Sequence, residues 1–494
     1  MNTSKEFFGH PRGLFTLFFT EMWERFSFYG MKAILILFLT SDVARQGLGL
    51  NNETAGAIVG LYAFSVYLLS LPGGWLADRF LGQQKAIWYG GILIMIGHVI
   101  LAFPGPPGVF YTGLAFIAFG TGLLKPNISS IVGDLYPEGG AKRDAGFSLF
   151  YMGINTGAIL GPVVIGFLGE KVNWHLGFGA AAIGMFLGLL QFRLSRKFLG
   201  ESGKYPNVKE KPSANVKSNL LPTIIIAAVG FAFVITLAFM GLIDLSTERG
   251  VAISFGYITT AVLFLYFIYI LFYSNLTTED RKKVVVIILL FVGAMIFWSG
   301  FEQAFTTFSL FARDYTNRIF FGFEVPAGWF QTINPIFVVI FAPIVGATWV
   351  KLASKNLNPN IPVKFGFGLI LLGLGFIVMY FAAGIVATGN LVGMQWLIFT
   401  YFLHSMGELT LSPVGLSAVT KLAPRKFYSQ MMGIWFVGAA LGNLMAGIYA
   451  GGLDPENLEE MPNLFLLVAQ VGFGGGLIFF ALSPVLKRWV GNLK

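Results

Sequence analysis

Near the start of the chain, Glu21, Glu24, Arg25, Phe28, Tyr29 and Lys32 recur at three- and four-residue spacing. On a helix they form one polar and aromatic stripe, while Phe19, Trp23, Phe26, Ile34 and Leu37 fall on the opposite face, where they can meet lipid or other helices. The surrounding run is apolar enough to span a bilayer, and each charge at bilayer depth costs roughly 2.5–3.5 kcal/mol on insertion scales. Four charges on one face therefore predict a watery cavity in which they pair, and with it a transport or proton pathway. Further along, Lys125 directly precedes Pro126 in the cytoplasmic half of its span, with Asn155 available on the next span. Glu302 is the lone carboxylate of Phe297-Trp298-Ser-Gly-Phe301-Glu302-Gln303, and Glu408 stands five residues ahead of Pro413. Bland readings exist: a lysine near a helix end snorkels to the interface, and a lone carboxylate caps a helix or bonds across to its neighbour. Two acids in one half against Arg25, Lys32 and Lys125 in the other nonetheless make a charge-complementary set.

The elements that must position these residues are membrane spans. With 494 residues, 55% of them hydrophobic and 12% charged, and a mean hydropathy of +0.73, the chain is too apolar for a soluble globular protein. Runs of about 20 apolar residues recur about fourteen times, without the alternation of a membrane β-barrel. The fold class expected is all-α and polytopic. The first six spans fall at Leu14–Leu39, Ala55–Leu71, Lys85–Phe103, Gly108–Leu124, Gly146–Leu168 and Leu176–Leu194. After the basic, Gly- and Pro-containing connector Ser195–Ser218 come two spans without ionisable acids or bases, Leu220–Phe239 and Ile253–Tyr273, which read as a peripheral lipid-facing hairpin. Six more follow, at Val284–Ala312, Trp329–Trp349, Phe365–Ala387, Met394–Thr420, Gln430–Ala450 and Asn463–Leu486. The domains expected are thus a bundle over 12–200, an inserted hairpin over 219–274 and a second bundle over 284–487. Channels and membrane enzymes also have ten to fourteen spans, so the count alone leaves them open.

The net charge of +9 does not point to nucleic acid, because the basic residues concentrate in alternate loops and at both ends. By the positive-inside rule these loops and both termini are cytoplasmic. The intervening loops hold only Arg45, Lys171, Arg249, Arg313 and Arg318. The first apolar run carries charges and continues as a full span, unlike a cleaved signal peptide. Cysteine is absent, which excludes disulfides and thiolate chemistry. His10, His98, His175 and His404 show no metal-ligand spacing, and no G-x-x-x-x-G-K loop offers an ATP site. The run Gly472–Gly476 lies in an apolar span and suits close packing. An intramembrane enzyme would need a metal set, a nucleophile elbow or a cofactor motif, and the sequence contains none, so no enzyme activity is expected.

Gly73-Gly74-Trp-Leu-Ala-Asp78-Arg79, after the second span, pairs glycines for close helix approach with an acid that can latch onto an arginine or a helix N-terminus. The alternative is an ordinary solvated turn. Its pattern resembles the conformational loop of major facilitators, as does the layout of six, two and six spans, with substrate bound between two rocking halves. Glu21-x-x-Glu24-Arg25-Phe26, Lys125-Pro126-Asn127, Phe150-Tyr151-x-x-Ile154-Asn155-x-Gly157 and the Glu408–Gly415 element together resemble a bacterial member of the proton-dependent oligopeptide transporter family, with a match from Phe7 to the last span.

This resemblance implies a proton-coupled symporter that imports di- and tripeptides by alternating access. It would be a multi-pass monomer in the bacterial plasma membrane, in contact with lipid, with no nucleic-acid partner and no cofactor beyond the proton gradient. Carried over residue by residue, Glu21, Glu24, Arg25 and Glu302 couple protonation to binding, with Glu302 the main proton carrier. Arg25 and Lys125 receive the peptide carboxylate, while Glu408, Asn155 and Asn334 receive its amino terminus. Tyr29, Tyr67 and Trp435 line side-chain pockets. Lys125 with Glu408 forms the cytoplasmic gate pair, and Lys32 with Glu302 the extracellular one. The chain departs from the family pattern at Lys32, where arginine is common, at Phe28, where a second tyrosine is usual, and at Phe301, where some members carry another glutamate. The alternative on the same scaffold is a carrier of nitrate, a peptidomimetic drug or another small zwitterion or anion.

Overall fold

The computed structural model describes residues 6–137, 140–206, 230 and 232–490. Its helices, in chain order, are α1 (Arg12–Thr40), α2 (Asn52–Leu76), α3 (Gln83–Leu101), α4 (Pro107–Asp134), α5 (Gly140–Phe167) and α6 (Trp174–Ser195), then α7 (Glu248–Ile268), α8 (Thr278–Phe301) and α9 (Thr307–Tyr315). The last five are α10 (Ile333–Ser354), α11 (Ile361–Ala387), α12 (Gln395–Leu422), α13 (Tyr428–Ala450) and α14 (Met461–Val490). Strands are confined to pairs of two residues in the connections.

Among the described residues, eleven helices are long and apolar enough to cross a membrane. Two more, α1 and α12, have 29 and 28 residues, about 43 Å of helix at 1.5 Å per residue. They carry Glu21, Glu24, Arg25, Lys32 and Glu408, and that polarity makes them less uniformly apolar than their neighbours. The expected span Leu220–Phe239 lies largely outside the described residues, although 232–239 are helical. Its partner α7 is mostly exposed, with 11% of its apolar stretch buried inside the protein, as a lipid-facing element requires.

Capping residues set several helix starts. Asn51, Thr277 and Asn360 accept hydrogen bonds from the backbone N–H groups of Thr54, Asp280 and Val363, satisfying donors that the first turn leaves free. Three sequence expectations fail in instructive ways. Span four was expected to end at Leu124, before Pro126, but α4 continues to Asp134. The proline deprives the Gly122 carbonyl of its usual helical donor; that oxygen lies against α2, only 2.1 Å from where a Cβ on Gly73 would be. Close backbone approach at Gly73 thus shelters the free carbonyl and lets the helix run through. Likewise α12 passes through Pro413. The segment holding Asp78 and Arg79 is not an open loop after Leu71, for α2 extends to Leu76 and continues as a wide helical turn over Ala77–Leu81. Gly82, at φ +74°, ends it. The third departure is the span expected at Val284–Ala312, which breaks after Phe301 into a tight turn, Glu302–Phe305, before restarting at Thr307.

Helix contacts fall into two groups: α1 packs on α5 and α6, α4 on α2 and α3, while α11 packs on α12 and α14, and α8 on α13. The Gly472–Gly476 run serves packing, with Gly472 against Gly373 and Gly476 against Gly366 and Ile370. Between the groups the closest approach is α2 against α13, where Gly56 and Gly60 meet Gly447 backbone to backbone. A Cβ on Gly447 would lie 2.3 Å from the Gly56 carbonyl oxygen, so Gly447→Ala is expected to destabilise this conformation by about 1–3 kcal/mol. The thermal denaturation midpoint in detergent should fall, while Gly474→Ala, with nothing within 4 Å of its site, should leave it unmoved.

Candidate transport site

The stripe read from the sequence is buried. Glu21, Glu24, Arg25 and Lys32 are 1%, 0%, 4% and 3% exposed, because α5 and α6 wrap α1 on one side and the second helix group closes on the other. Arg25 Nε donates to Glu21 Oε1 at 2.7 Å and lies 3.1 Å from Glu24 Oε2. Its guanidinium also lies 5.7 Å and 5.9 Å from the ring centres of Phe28 and Tyr29, within cation–π range. Both oxygens of Glu24 and Oε2 of Glu21 have no hydrogen-bond partner among the described residues. One cation thus serves two carboxylates, a set poised to take up a proton or a further positive group.

Glu302 stands at the C-terminal end of α8, with helical backbone angles, and meets α1 there. Lys32 Nζ donates to Glu302 Oε2 at 2.6 Å, with both side chains less than a tenth exposed. Lys32 also donates to Asn443 Oδ1 at 3.2 Å. The break leaves the Ala304 carbonyl outside the helical ladder, where Ser309 Oγ bonds it at 3.0 Å and the Gln331 amide donates to it as well. Thr306 Oγ1 donates to the Ala446 carbonyl at 3.1 Å, tying the break to α13. Buried backbone oxygens need such partners, above all in a membrane.

The predicted amino-terminus receptor is partly assembled. Asn334 Nδ2 donates to Glu408 Oε2 at 3.0 Å and to Ser405 Oγ at 2.9 Å. Asn155, expected beside Glu408, instead donates to the Tyr151 carbonyl of its own helix. Lys125 lies over the Tyr67 ring, 3.9 Å from its centre. The structure does not bring Lys125 and Glu408 to ion-pair distance, although both are partly exposed and charges with opposite sign. Trp435 packs edge-on to Phe365, 6.4 Å between centres, and Tyr29 stacks on Phe305 at 6.1 Å. Gly74 faces Pro126, and Arg79 lies over the Trp75 ring at 5.7 Å, so this segment stands apart from the buried charges.

At the end where α1 finishes at Thr40, the groups are strapped together: Glu170 accepts from the backbone N–H groups of Ala327 and Gly328 at 2.8 Å and 2.6 Å, and Lys171 Nζ donates to Glu324 at 2.6 Å. Trp329 Nε1 donates to the Val163 carbonyl at 2.9 Å, and Arg313 to Thr40 Oγ1 at 2.6 Å.

The sequence reading did not anticipate Asn443, Ser405, Gln331, Phe305 or Glu170. Each polar one sits in or beside an apolar span, a signal in principle, but nothing in their spacing tells which distant residue they meet.

Membrane-spanning helices in two groups, with ionised and aromatic side chains buried between them, define a multi-pass membrane transporter. Residues 84–459 match the model of the POT family. The chain is 43% identical to the peptide transporter YePEPT of Yersinia enterocolitica, over 99% of this chain and 97% of that one. It is 40% identical to a di-/tripeptide transporter of Lactococcus lactis subsp. cremoris, over 100% and 99%. Among solved structures, the peptide transporter POT in complex with sulfate superimposes with a TM-score of 0.90 at 42% identity, covering 98% of this chain and 97% of that one. The chain belongs to the POT family and has the major facilitator fold.

The straps differ in weight. Breaking a buried pair by removing one partner costs about 3–5 kcal/mol, whereas a largely exposed pair contributes under about 1 kcal/mol. Lys32→Met should therefore open the Thr40 end and Lys171→Gln should not. Spin labels on cysteines at Val43 and Phe321, 73% and 95% exposed, read the separation in a chain with no native cysteine. The hydrogen bond from Lys171 holds the Glu324 carboxyl below the usual carboxylate range. A depressed carboxyl stabilises above its ordinary value, about 4.3, and loses that contribution only as pH falls through the lower folded one. Opening in mildly acidic solution should consequently be the same with or without Lys171.

Proposed function

We propose that this protein is a proton-coupled symporter that imports di- and tripeptides by alternating access. The observation that carries the reading is the buried Lys32–Glu302 pair, 2.6 Å long, which joins the two helix groups, with further cations, Arg25 and Lys125, on the first and an acid with its amide, Glu408 and Asn334, on the second. A short peptide is a zwitterion whose carboxylate suits the former and whose ammonium suits the latter. Relatives named as peptide and di-/tripeptide transporters support the same substrate class.

In this reading the bundles over 12–200 and 284–487 rock about the site, with the 219–274 hairpin at the periphery. Gly74, Asp78 and Arg79 belong to the conformational segment near the cytoplasmic end. The basic loops and both termini face the cytoplasm of a bacterial cell, so the Thr40 end is extracellular and the conformation described is closed on that side. The protein works as a monomer in plasma-membrane lipid, with no cofactor, nucleic-acid partner or catalytic chemistry of its own.

Coupling follows from the charges. From outside, a proton on Glu302 removes its charge, weakens its hold on Lys32 and lets the extracellular end part. Peptide then enters, its carboxylate on Arg25 and Lys125 and its ammonium on Glu408, with Asn155 and Asn334 as polar neighbours and Tyr29, Tyr67 and Trp435 around its side chains. The Glu21–Glu24–Arg25 set exchanges partners as the peptide carboxylate arrives, a second place for proton uptake. Closure outside separates Lys125 from Glu408 and releases peptide and proton to the cytoplasm. Each proton moving down 100 mV supplies about 2.3 kcal/mol, and each pH unit about 1.4 kcal/mol.

Liposomes containing the purified protein should accumulate labelled dialanine under an inward proton gradient, and a protonophore should abolish accumulation. Glu302→Gln should lose accumulation while retaining peptide exchange; proton-driven accumulation by this variant would overturn its role. Glu408→Gln should weaken dipeptide binding about tenfold or more, the loss of one hydrogen bond to a charged group, whereas a carrier of simple anions would tolerate it.

A further inference from the structure

Glu302 is not the only group that holds Lys32 across the interface. Asn443, 3% exposed on α13, accepts from the Lys32 ammonium through Oδ1 at 3.2 Å and donates through Nδ2 to the Ala439 carbonyl at 3.0 Å. Only this orientation of the amide satisfies both partners, since an ammonium has donors alone and a carbonyl only accepts. The Phe305 ring centre lies 4.2 Å from Nζ, so a carboxylate, an amide oxygen and an aromatic face share the ammonium.

Two of these three partners carry no titratable charge. Protonating Glu302 removes its carboxylate from the set and leaves Asn443 in place, still on the opposite helix group from Lys32. We propose that Asn443 is a positioning residue of the Lys32–Glu302 gate, a proton-independent arm whose strength sets the pH at which the Thr40 end opens. This rests on the symporter reading, but its test needs no substrate.

Besides Lys32 itself, the titratable groups whose charge reaches Glu302 are Tyr29 on α1, Tyr67 on α2, Lys125 on α4 and Glu408 on α12, with Arg25 acting on Tyr29, Tyr67 and Lys125. Asn443 changes none of these, so its removal should shift the opening curve without flattening it. Removing a hold present in the closed state favours opening, so less acid suffices. Asn443→Leu should move the midpoint of opening to higher pH by about one unit, a roughly tenfold change in the closed-to-open ratio. Asn443→Asp, of the same size, adds a carboxylate to the hold and should move it the other way.

The measurement is the Val43–Phe321 spin-label distance in lipid nanodiscs across pH, in the unaltered site, in Asn443→Leu, in Asn443→Asp and in a Glu408→Gln background that removes the other nearby acid. Opposite shifts for the leucine and aspartate variants, retained in that background, support the proposal. A midpoint unmoved in folded Asn443→Leu overturns it, and so does a Thr40 end in the unaltered protein that fails to open with acid. Should the leucine variant not fold, Asn443→Ser, too short to reach Lys32, takes its place with the same expected sign. Failure of dialanine accumulation with the predicted shifts intact would remove the peptide reading and leave the gate.

Discussion

An ammonium and a carboxylate on different helix groups, closed on each other at 2.6 Å within a membrane protein, is the constraint on which the rest of the structure depends. Bringing two ions out of water costs several kcal/mol each, and the attraction repays this only with good geometry and further hydrogen bonds. The surroundings of Lys32 and Glu302 supply both. Glu302 ends α8 opposite α1, and the tight turn Glu302–Phe305 follows it directly. That turn frees a backbone carbonyl in a place without water, and Gln331 and Ser309 are there to bond it. The polar residues behind the break answer the hydrogen-bond needs of the gate.

The same accounting explains the Arg25 set. One guanidinium lies beside two carboxylates that are almost wholly buried, and three of their four oxygens lack hydrogen-bond partners. Left alone, such a set carries excess negative charge in a low-dielectric setting, which a proton or a neighbouring cation relieves. Lys125, on the facing helix α4, is the nearby cation, and it sits over Tyr67 without an acid of its own.

Much of this was legible in the sequence, for physical reasons. Charges at helical spacing in an apolar run have few explanations in a bilayer, so the α1 stripe could be read before any coordinates, and the resemblance to the family supplied the Lys32–Glu302 pairing. Charge alternation between loops marked the spans, and the six, two, six layout followed. What the sequence hid was backbone behaviour that depends on neighbours. Pro126 reads as a helix breaker, yet α4 passes through it because Gly73 brings α2 against the freed carbonyl. The real break has no proline or glycine within it, and one of the groups that bond its freed carbonyl, Gln331, lies 27 residues from Ala304. Asn443 escaped for the same reason: an asparagine in an apolar span is visible, but its partner 411 residues earlier is not.

The departures from the family pattern can now be given physical content. Phe301 stacks on Phe297 at 5.6 Å and meets Trp298 edge-on at 5.2 Å. A carboxylate there would face aromatic rings, so no acid beside Glu302 shares the work in that turn. Phe28 is buried and presents its ring within 6.0 Å of both Arg25 and Lys32, a role that needs the aromatic face and not a hydroxyl. Lys32 lacks the planar fork that an arginine would bring, and its compact ammonium can engage a carboxylate, an amide and a ring from three directions. Loss of bidentate geometry is thereby offset by neighbours: the Lys32 ammonium meets the Glu302 carboxylate, the Asn443 amide oxygen and the Phe305 ring at once.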